Sequence, residues 1–197
     1  MNRLLILPVL LLTLLVGNPA FSADFHKGVT AYKSGDFATA LREWKPLAEQ
    51  GDASAQFNLG MMYQKGIGVP RGYKTAVKWY RLATEQGFAR AQTNLGVMYQ
   101  EGIGVPQDYK TAVKWYSLSA KQGDAFAQFN LGLMYGLGQG VTQDDFYAHM
   151  WGNLGASNGN EDGGKLRDIV AKGMTPADIS TAQKLARECI RKKYKGC

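Results

Sequence analysis

The chain has 197 residues, of which 45% are hydrophobic and 20% are charged, and its formal net charge at pH 7 is +7. The apolar share excludes an intrinsically disordered chain, and 24 glycines with 6 prolines are too few for a collagen-like one. Two cysteines in this length exclude a small disulfide-rich domain and a zinc module built from cysteines.

The first 22 residues have the pattern of a secretory signal peptide. Arg3 precedes the apolar run 4–16, which is shorter than the ~18 residues of a membrane span. Small Ala20 at the −3 position favours cleavage after Ser22, and an uncleaved membrane anchor is the alternative. We therefore predict that 1–22 is a signal peptide and that the protein is periplasmic or secreted. Intracellular nucleic acid is then not an expected partner, despite the positive charge.

An opening helical pair is predicted for residues 23–51. Residues 37–51 resemble the second helix of such a pair, and residues 25–34 would be its first helix. Gly35 and Asp36 join the two helices.

A sequence motif recurs every 36 residues in the middle of the chain. Its first part, Ala-Gln-x-Asn-Leu-Gly, occupies 55–60, 91–96 and 127–132. Each copy is followed by a tyrosine, a Gly-x-Gly-Val segment and a second amphipathic stretch. That stretch is nearly identical at 73–80 and 109–116 and diverges at 145–151. Such regular spacing is typical of repeat proteins.

Each copy is predicted to form two helices. Ala55, Leu59 and Tyr63 lie on one face of the first helix, since an α-helix turns about 100° per residue. The Gly-x-Gly-Val segment is expected to end this helix, because glycine readily adopts the left-handed conformation. At Gly96 we expect two helix backbones to touch, which leaves no room for a larger side chain. A pair this small cannot bury its apolar face alone, so neighbouring pairs must stack.

These motifs resemble the Sel1-like repeat, a relative of the tetratricopeptide repeat with a longer loop between its helices. The resemblance covers 52–87, 88–123 and 124–159, and it extends to 23–51 as a degenerate, tetratricopeptide-like opening repeat. It implies an all-α fold, a right-handed α-solenoid of stacked helix-turn-helix units. It also implies that the first helix of each repeat lines a concave surface.

The face of the first helices that stacking leaves free is predicted to form a partner-binding groove. This face is more apolar than a merely solvated one. Its equivalent positions hold Ser54, Arg90 and Phe126; Phe57, Thr93 and Phe129; Asn58, Asn94 and Asn130; Met61, Val97 and Leu133; and Lys65, Glu101 and Leu137. We predict that the groove holds a protein or peptide partner. Alternatively, its aromatic residues pack internally or the C-terminal helix covers them.

Two of the residues that recur in all three copies, an asparagine and a tryptophan, could serve either the stacking of repeats or a ligand. The recurring asparagine has amide donors and an acceptor, so it can bind the backbone of a partner or hold a neighbouring turn of this chain. In tetratricopeptide relatives the equivalent asparagine lines peptide grooves. The recurring tryptophan, found at Trp79, Trp115 and Trp151, is predicted to pack between repeats rather than to stack on a ligand.

The repeat pattern fades before residues 160–197, for which we predict a helical cap over the last apolar face. A short helix is expected at 165–172. Thr175 and the proline after it indicate the start of a second helix, which runs to about Lys193.

Two further features belong to this C-terminal segment. In an exported protein Cys189 and Cys197 are expected to form a disulfide, with free thiols or pairing to other chains as alternatives. Six basic residues cluster here: Lys184, Arg187, Arg191, Lys192, Lys193 and Lys195. They either complement the dipole of their own helix or make a weak contact with an anionic envelope surface.

No motif in the sequence is typical of catalysis. His26 and His149 lack the spacing of a metal site or a catalytic triad. No strand is predicted before Gly66 and Gly68, as a dinucleotide-binding loop requires. We therefore expect no catalytic residue, no metal and no cofactor.

The patterns together predict an exported scaffold that mediates protein–protein interaction through its concave surface, in an envelope complex or with a secreted partner. One alternative is an envelope enzyme that acts on cell-wall-related material. Such an enzyme needs acid–base pairs in the groove, where Glu101 is the only acid among the predicted positions. A second alternative is a structural or regulatory subunit that binds through its terminal cap.

Overall fold

The computed structural model describes residues 23–197, and the predicted signal peptide lies outside the described residues. Within this range the chain forms ten α-helices and no strand, and each of the first nine helices packs against its neighbour in sequence. The helices are α1 (Phe25–Lys33), α2 (Phe37–Glu49), α3 (Ala53–Lys65), α4 (Tyr73–Glu85), α5 (Ala89–Glu101), α6 (Tyr109–Ala120), α7 (Ala125–Leu137), α8 (Asp145–Ser157), α9 (Glu161–Ala171) and α10 (Pro176–Arg191). The fold is therefore the predicted α-solenoid.

Most of the helices begin at an aspartate whose carboxylate accepts a backbone N–H from the first turn. These N-cap residues are Asp24, Asp36, Asp52, Asp108, Asp124 and Asp144. Asn160 caps α9 in the same way, and for this reason α9 begins at Glu161 instead of at the predicted residue 165. Thr175 caps α10, as its position before a proline predicts.

The first helix of each repeat ends at a glycine in the left-handed conformation. Gly66, Gly102 and Gly138 have φ values of 70°, 69° and 66°. A residue with a side chain is disfavoured there, so the three glycines end α3, α5 and α7 at equivalent points. The predicted helix ends are confirmed.

The contact at Gly96 differs from the expectation. A Cβ atom placed there would lie 2.6 Å from the ring of Tyr116 in α6, and one at Gly60 would lie 2.5 Å from the ring of Tyr80 in α4. A tyrosine ring, not a second backbone, therefore fills this position in two repeats. The expected backbone contact occurs only at Gly132, which faces Gly152 of α8.

The apolar core consists of clusters that cross the boundaries between repeats. Trp79 packs against a cluster from α1, α2 and α3, and Trp115 packs against one from α3, α4 and α5. Trp151 is 3% exposed in the cluster that joins α6, α7, α8 and α10. The predicted packing role of the recurring tryptophan is confirmed.

Amide pairs, each with one buried and one exposed partner, connect each first helix to the end of the second helix of its own repeat. Gln86 donates to Gln56 at 2.9 Å and Gln122 donates to Gln92 at 2.8 Å. In the third repeat Asn158 donates to Gln128 at 2.8 Å. These bonds satisfy polar groups that stacking removes from water.

The C-terminal segment covers the last repeat from two sides. α9 packs against α7 and α8, while α10 packs against α8. Cys189 and Cys197 form the predicted disulfide, which joins the end of the chain to α10. The hydroxyl of Tyr194 bonds to the side chain of Asn158. No helix in the range 23–197 is both long enough and apolar enough to cross a membrane.

Candidate functional site

A pocket of about 680 Å³ lies along the first helices of the three repeats. Because each turn between packed neighbours reverses the chain, α3, α5 and α7 run in the same direction. The pocket is lined by Phe57, Met61, Gln64, Lys65, Arg90, Thr93, Asn94, Val97, Gly123, Asp124, Ala125, Phe126 and Asn130. None of these residues belongs to α9 or α10, so the C-terminal segment does not line the pocket.

The central helix α5 contributes every groove position predicted for it between Arg90 and Val97. The two outer helices contribute only the side that faces α5. From α3 the pocket takes Phe57 and Met61, four residues apart, and from α7 it takes Phe126 and Asn130, also four apart.

Several predicted positions on α3, α5 and α7 lie outside the pocket. These residues are Ser54, Asn58, Phe129, Leu133, Glu101 and Leu137. Gln64 also lines the pocket and was not among the predicted positions. It lies seven residues, or two helical turns, beyond Phe57, and this spacing could have predicted it. The residues from Gly123 to Ala125 belong to the turn between α6 and α7, whose position depends on helix packing.

Two residues of the pocket are buried and form its floor. Phe57 is 8% exposed and packs against Tyr80 and Phe88, with ring centroids 5.9 and 5.3 Å away. The hydroxyl of Thr93 lies 2.8 Å from Ser119 Oγ and 3.1 Å from Asp124 Oδ1. Internal packing therefore accounts for part of the apolar content of this face.

The asparagine of the second repeat is held by the fold. Asn94 Nδ2 donates to the hydroxyl of Tyr80 at 3.0 Å, and this hydroxyl donates to Gln64 Oε1 at 2.6 Å. Burial raises the pKa of Tyr80, so its hydroxyl remains neutral and can keep donating. In this repeat the asparagine serves the structure.

The other two asparagines have different surroundings. Among the described residues, neither the Asn58 nor the Asn130 side chain makes a hydrogen bond within the protein. The place of Tyr80 is taken in the preceding repeat by Trp44, whose Nε1 donates to Phe25 O at 3.2 Å. Asn130 faces the pocket with its amide groups unoccupied, whereas Asn58 lies outside it.

The pocket is apolar in part and carries more positive than negative charge. Phe126 is 67% exposed, the largest exposure among the large apolar residues of the described range. Lys65 and Arg90 are exposed and form no ion pair within that range. The carboxylate of Asp124 accepts the Ala127 N–H at 2.8 Å and the Thr93 hydroxyl, so it is engaged in capping α7.

The histidines lie away from the pocket and from each other. His26 is exposed on α1, whereas His149 is 1% exposed in α8. Burial, with a smaller contribution from Arg167, lowers the pKa of His149 and favours its neutral form. In the part of the chain that the structure describes, histidine, cysteine and acidic side chains nowhere gather in a group that could hold a metal ion.

The basic residues near the C-terminus are exposed on α10 and the segment after it. Glu188 pairs with Lys192 at 2.7 Å and with Arg191 at 3.9 Å. The pKa of the Glu188 carboxyl is lowered, chiefly by the hydrogen bond from Lys192. Residues 184–197 thus carry one acidic and six basic side chains, and this end of the molecule has a positive surface.

Comparison with known proteins identifies the repeat. The model of the Sel1 repeat matches residues 53–88, 89–124 and 125–160. A Sel1 repeat protein from Oxalobacter formigenes, known from a crystal structure, is 29% identical with a TM-score of 0.72; the match covers 84% of this chain and 70% of that chain.

A second similar structure is a protective antigen present in uropathogenic Escherichia coli strains, which displays an SLR (Sel1-like repeat) fold. It is 34% identical with a TM-score of 0.71, and the match covers 83% of this chain and 37% of that chain. This chain therefore corresponds to just over a third of the antigen's length. Among curated proteins none matches. The matched repeats account for more than half of the residues, and the chain belongs to the Sel1 repeat family.

Proposed function

We propose that this protein is an interaction scaffold that binds another protein in the pocket along α3, α5 and α7, on the concave surface of the solenoid. Sel1 repeats and structural neighbours with the same fold fit a protein-interaction scaffold. The observation that carries the proposal is that exposed Phe126 and Asn130, whose amide makes no hydrogen bond within the described residues, line the same pocket. An exposed aromatic ring beside free polar groups is typical of a recognition surface.

The charged groups of the pocket favour binding over catalysis. Hydrolysis by general acid–base chemistry needs two titratable groups on either side of the substrate. The pocket has one carboxylate, Asp124, and this group already caps α7 and accepts from Thr93. We therefore favour a scaffold over an enzyme that acts on cell-wall-related material.

The proposal also covers the location of the protein and a second contact, which its basic C-terminal residues would make with an anionic surface. The apolar run 4–16 supports export to the periplasm or secretion, where the partner would be an envelope or secreted protein. The exposed basic residues around Arg187 support a weak additional contact with an anionic envelope surface. Salt-sensitive binding to vesicles of anionic lipid, lost when these charges are reversed, tests that contact.

Site-specific photocrosslinking in the producing cell tests the main proposal. A photoreactive amino acid at Phe126 should capture a partner protein, whereas the same group at Leu82 should not. Leu82 is a matched control because it is an exposed apolar residue, 41% accessible, on α4 and outside the pocket.

The captured protein is then purified and its affinity is measured. The double variant Phe126→Ala, Asn130→Ala should bind it on the order of tenfold more weakly than the unmodified chain, and Leu82→Ala should bind it equally well. Capture from both positions alike, or from neither, would count against the pocket as the binding site.

A further inference from the structure

We infer that the pocket recognises an extended acidic peptide segment in which apolar side chains lie between two carboxylates. The inference rests on the proposed function and specifies the chemistry of the partner. It is carried by the charges of the pocket, their spacing and the groups between them.

The pocket has more cationic than anionic side chains, which favours an anionic ligand. Lys65 and Arg90 are its two cations, and neither forms an ion pair within residues 23–197. The one anion, Asp124, already accepts hydrogen bonds from Ala127 and Thr93. Apolar walls strengthen the field of the two free cations, so an acidic ligand is attracted and a basic one repelled.

The two cations lie near opposite ends of the pocket. Arg90 is in the first turn of α5 and Lys65 is in the last turn of α3, and the two helices run in the same direction. Arg90 is equivalent in the repeat to Ser54 of α3. From the level of Ser54 to that of Lys65 the helix rises about 16 Å along its axis, at 1.5 Å per residue. An extended chain advances about 3.3 Å per residue, so two carboxylates roughly five residues apart reach both cations.

The groups between the cations fit the backbone and the apolar side chains of such a segment. Met61, Val97 and exposed Phe126 offer an apolar surface. The amide of Asn130 can donate to a peptide carbonyl and accept a peptide N–H, as no group of the described chain occupies it.

A peptide fits this arrangement better than a nucleic acid does. A phosphate backbone carries one charge per nucleotide and is bound by rows of cations. Here two cations are separated by an apolar wall, which matches a chain whose charges are also separated by apolar groups.

The experiment uses fluorescence anisotropy with the whole exported chain and two labelled peptides. The acidic probe is acetyl-Asp-Glu-Leu-Phe-Leu-Ala-Glu-Asp, and the neutral probe replaces its acids with the corresponding amides. We expect the acidic probe to bind about tenfold more tightly at low salt and the difference to shrink as salt is raised.

Single-charge variants then locate the effect. Arg90→Gln and Lys65→Gln should each weaken binding of the acidic probe about three- to fivefold, and each should affect binding of the neutral probe clearly less. Lys78→Gln removes the same charge from an exposed position of α4 outside the pocket, and it should leave both affinities unchanged. Circular dichroism verifies that each variant is folded.

The outcomes distinguish this inference from the proposed function. Equal affinity for the two probes overturns the acidic preference, while the pocket remains a binding site. An equal loss of affinity in Lys78→Gln also overturns it, because the attraction then comes from the net charge of the whole chain. If neither probe binds but the group at Phe126 still captures a protein, the inference is wrong and the proposed function stands.

Discussion

Residues at equivalent positions of the repeats make different contacts. Asp108 and Asp144 each cap a second helix, whereas the same position in the first of the three repeats is Gly72, which has no side chain to do so. The backbone at Gly72 has φ −149° and ψ 86°, close to the −151° and 97° of Asp108. The site is therefore already shaped for an aspartate.

We predict that Gly72→Asp stabilises the protein. The new carboxylate should accept from Thr75, as Asp108 accepts from the N–H and hydroxyl of Thr111 at 3.1 and 2.6 Å. A Cβ at Gly72 has only ordinary contacts, the nearest to Thr75 Oγ1 at 3.5 Å. The gain should be about 0.5 kcal/mol, or roughly 1–2 °C in Tm.

Thermal unfolding followed by circular dichroism measures this change. Asp108→Gly is the matched control and should lower the Tm by a similar amount. A decrease in the Tm of Gly72→Asp would show that the loop before α4 cannot present a cap.

At the scale of the helix, glycine determines how closely the two helices of a repeat approach. Gly60 and Gly96 each face a tyrosine ring, whereas Gly132 faces the backbone of α8 near Ala148 and Gly152. Leu166 of α9 lies 3.0 Å from a Cβ placed at Gly132. In the third repeat, Leu166 of α9 therefore packs beside the glycine, whereas in the first two repeats a tyrosine of the second helix does so.

We predict that Gly96→Ala destabilises the protein even though alanine is the better helix former. The added methyl group would overlap the ring of Tyr116, which is fully buried and cannot move away. The free energy of unfolding should fall by about 1–3 kcal/mol, as measured by urea denaturation.

Gly136→Ala provides the comparison within α7. A Cβ there meets only the Cβ of Ala148, at 3.6 Å, which is ordinary contact. This variant should be neutral or more stable, by up to about 1 kcal/mol, because alanine has the higher helix propensity. If both substitutions stabilise the protein equally, the tyrosine contact does not restrict the site.

At the scale of the whole molecule, the C-terminal segment is part of the core. Ala182, Ala186 and Cys189 of α10 are buried in the same cluster as residues of α6, α7 and α8. The disulfide joins Cys197 to this helix, and between the two cysteines Tyr194 bonds to Asn158. Unfolding of α10 therefore exposes apolar surface of the last repeats.

We predict that breaking the disulfide lowers the stability of the whole chain. Cys189 and Cys197 are separated by 8 positions. Breaking a cross-link that closes a loop of this length lowers the free energy of unfolding by about 2–3 kcal/mol in the chain-entropy model. The Tm should fall by roughly 5–10 °C when the chain is treated with a reducing agent.

Cys197→Ser is the control for this measurement. It should have the lowered Tm with or without the reducing agent, because only the bridge is sensitive to it. An unchanged Tm of the unmodified chain after complete reduction would show that the tail does not contribute to the folded core.

The sequence by itself determined the repeat, the fold class and the secondary structure apart from the start of α9. Helix boundaries follow from local features, such as the cap at Thr175 and the left-handed glycine at Gly66, which depend on residues a few positions away. The repeat determines the stacking, since each pair must bury its apolar face against the next. With only two cysteines in the chain, the disulfide had one possible intramolecular pairing.

The tertiary structure decided which of the predicted groove residues lie together. Periodicity assigns a residue to one side of a helix, but the packing of neighbouring helices decides which part of that side faces the pocket. For this reason Phe57 lines the pocket and Ser54 does not. Asn94 and Asn130 are equivalent in sequence, yet one bonds to Tyr80 and the other has no partner among the described residues. That difference depends on contacts between separate helices, which local sequence patterns do not specify.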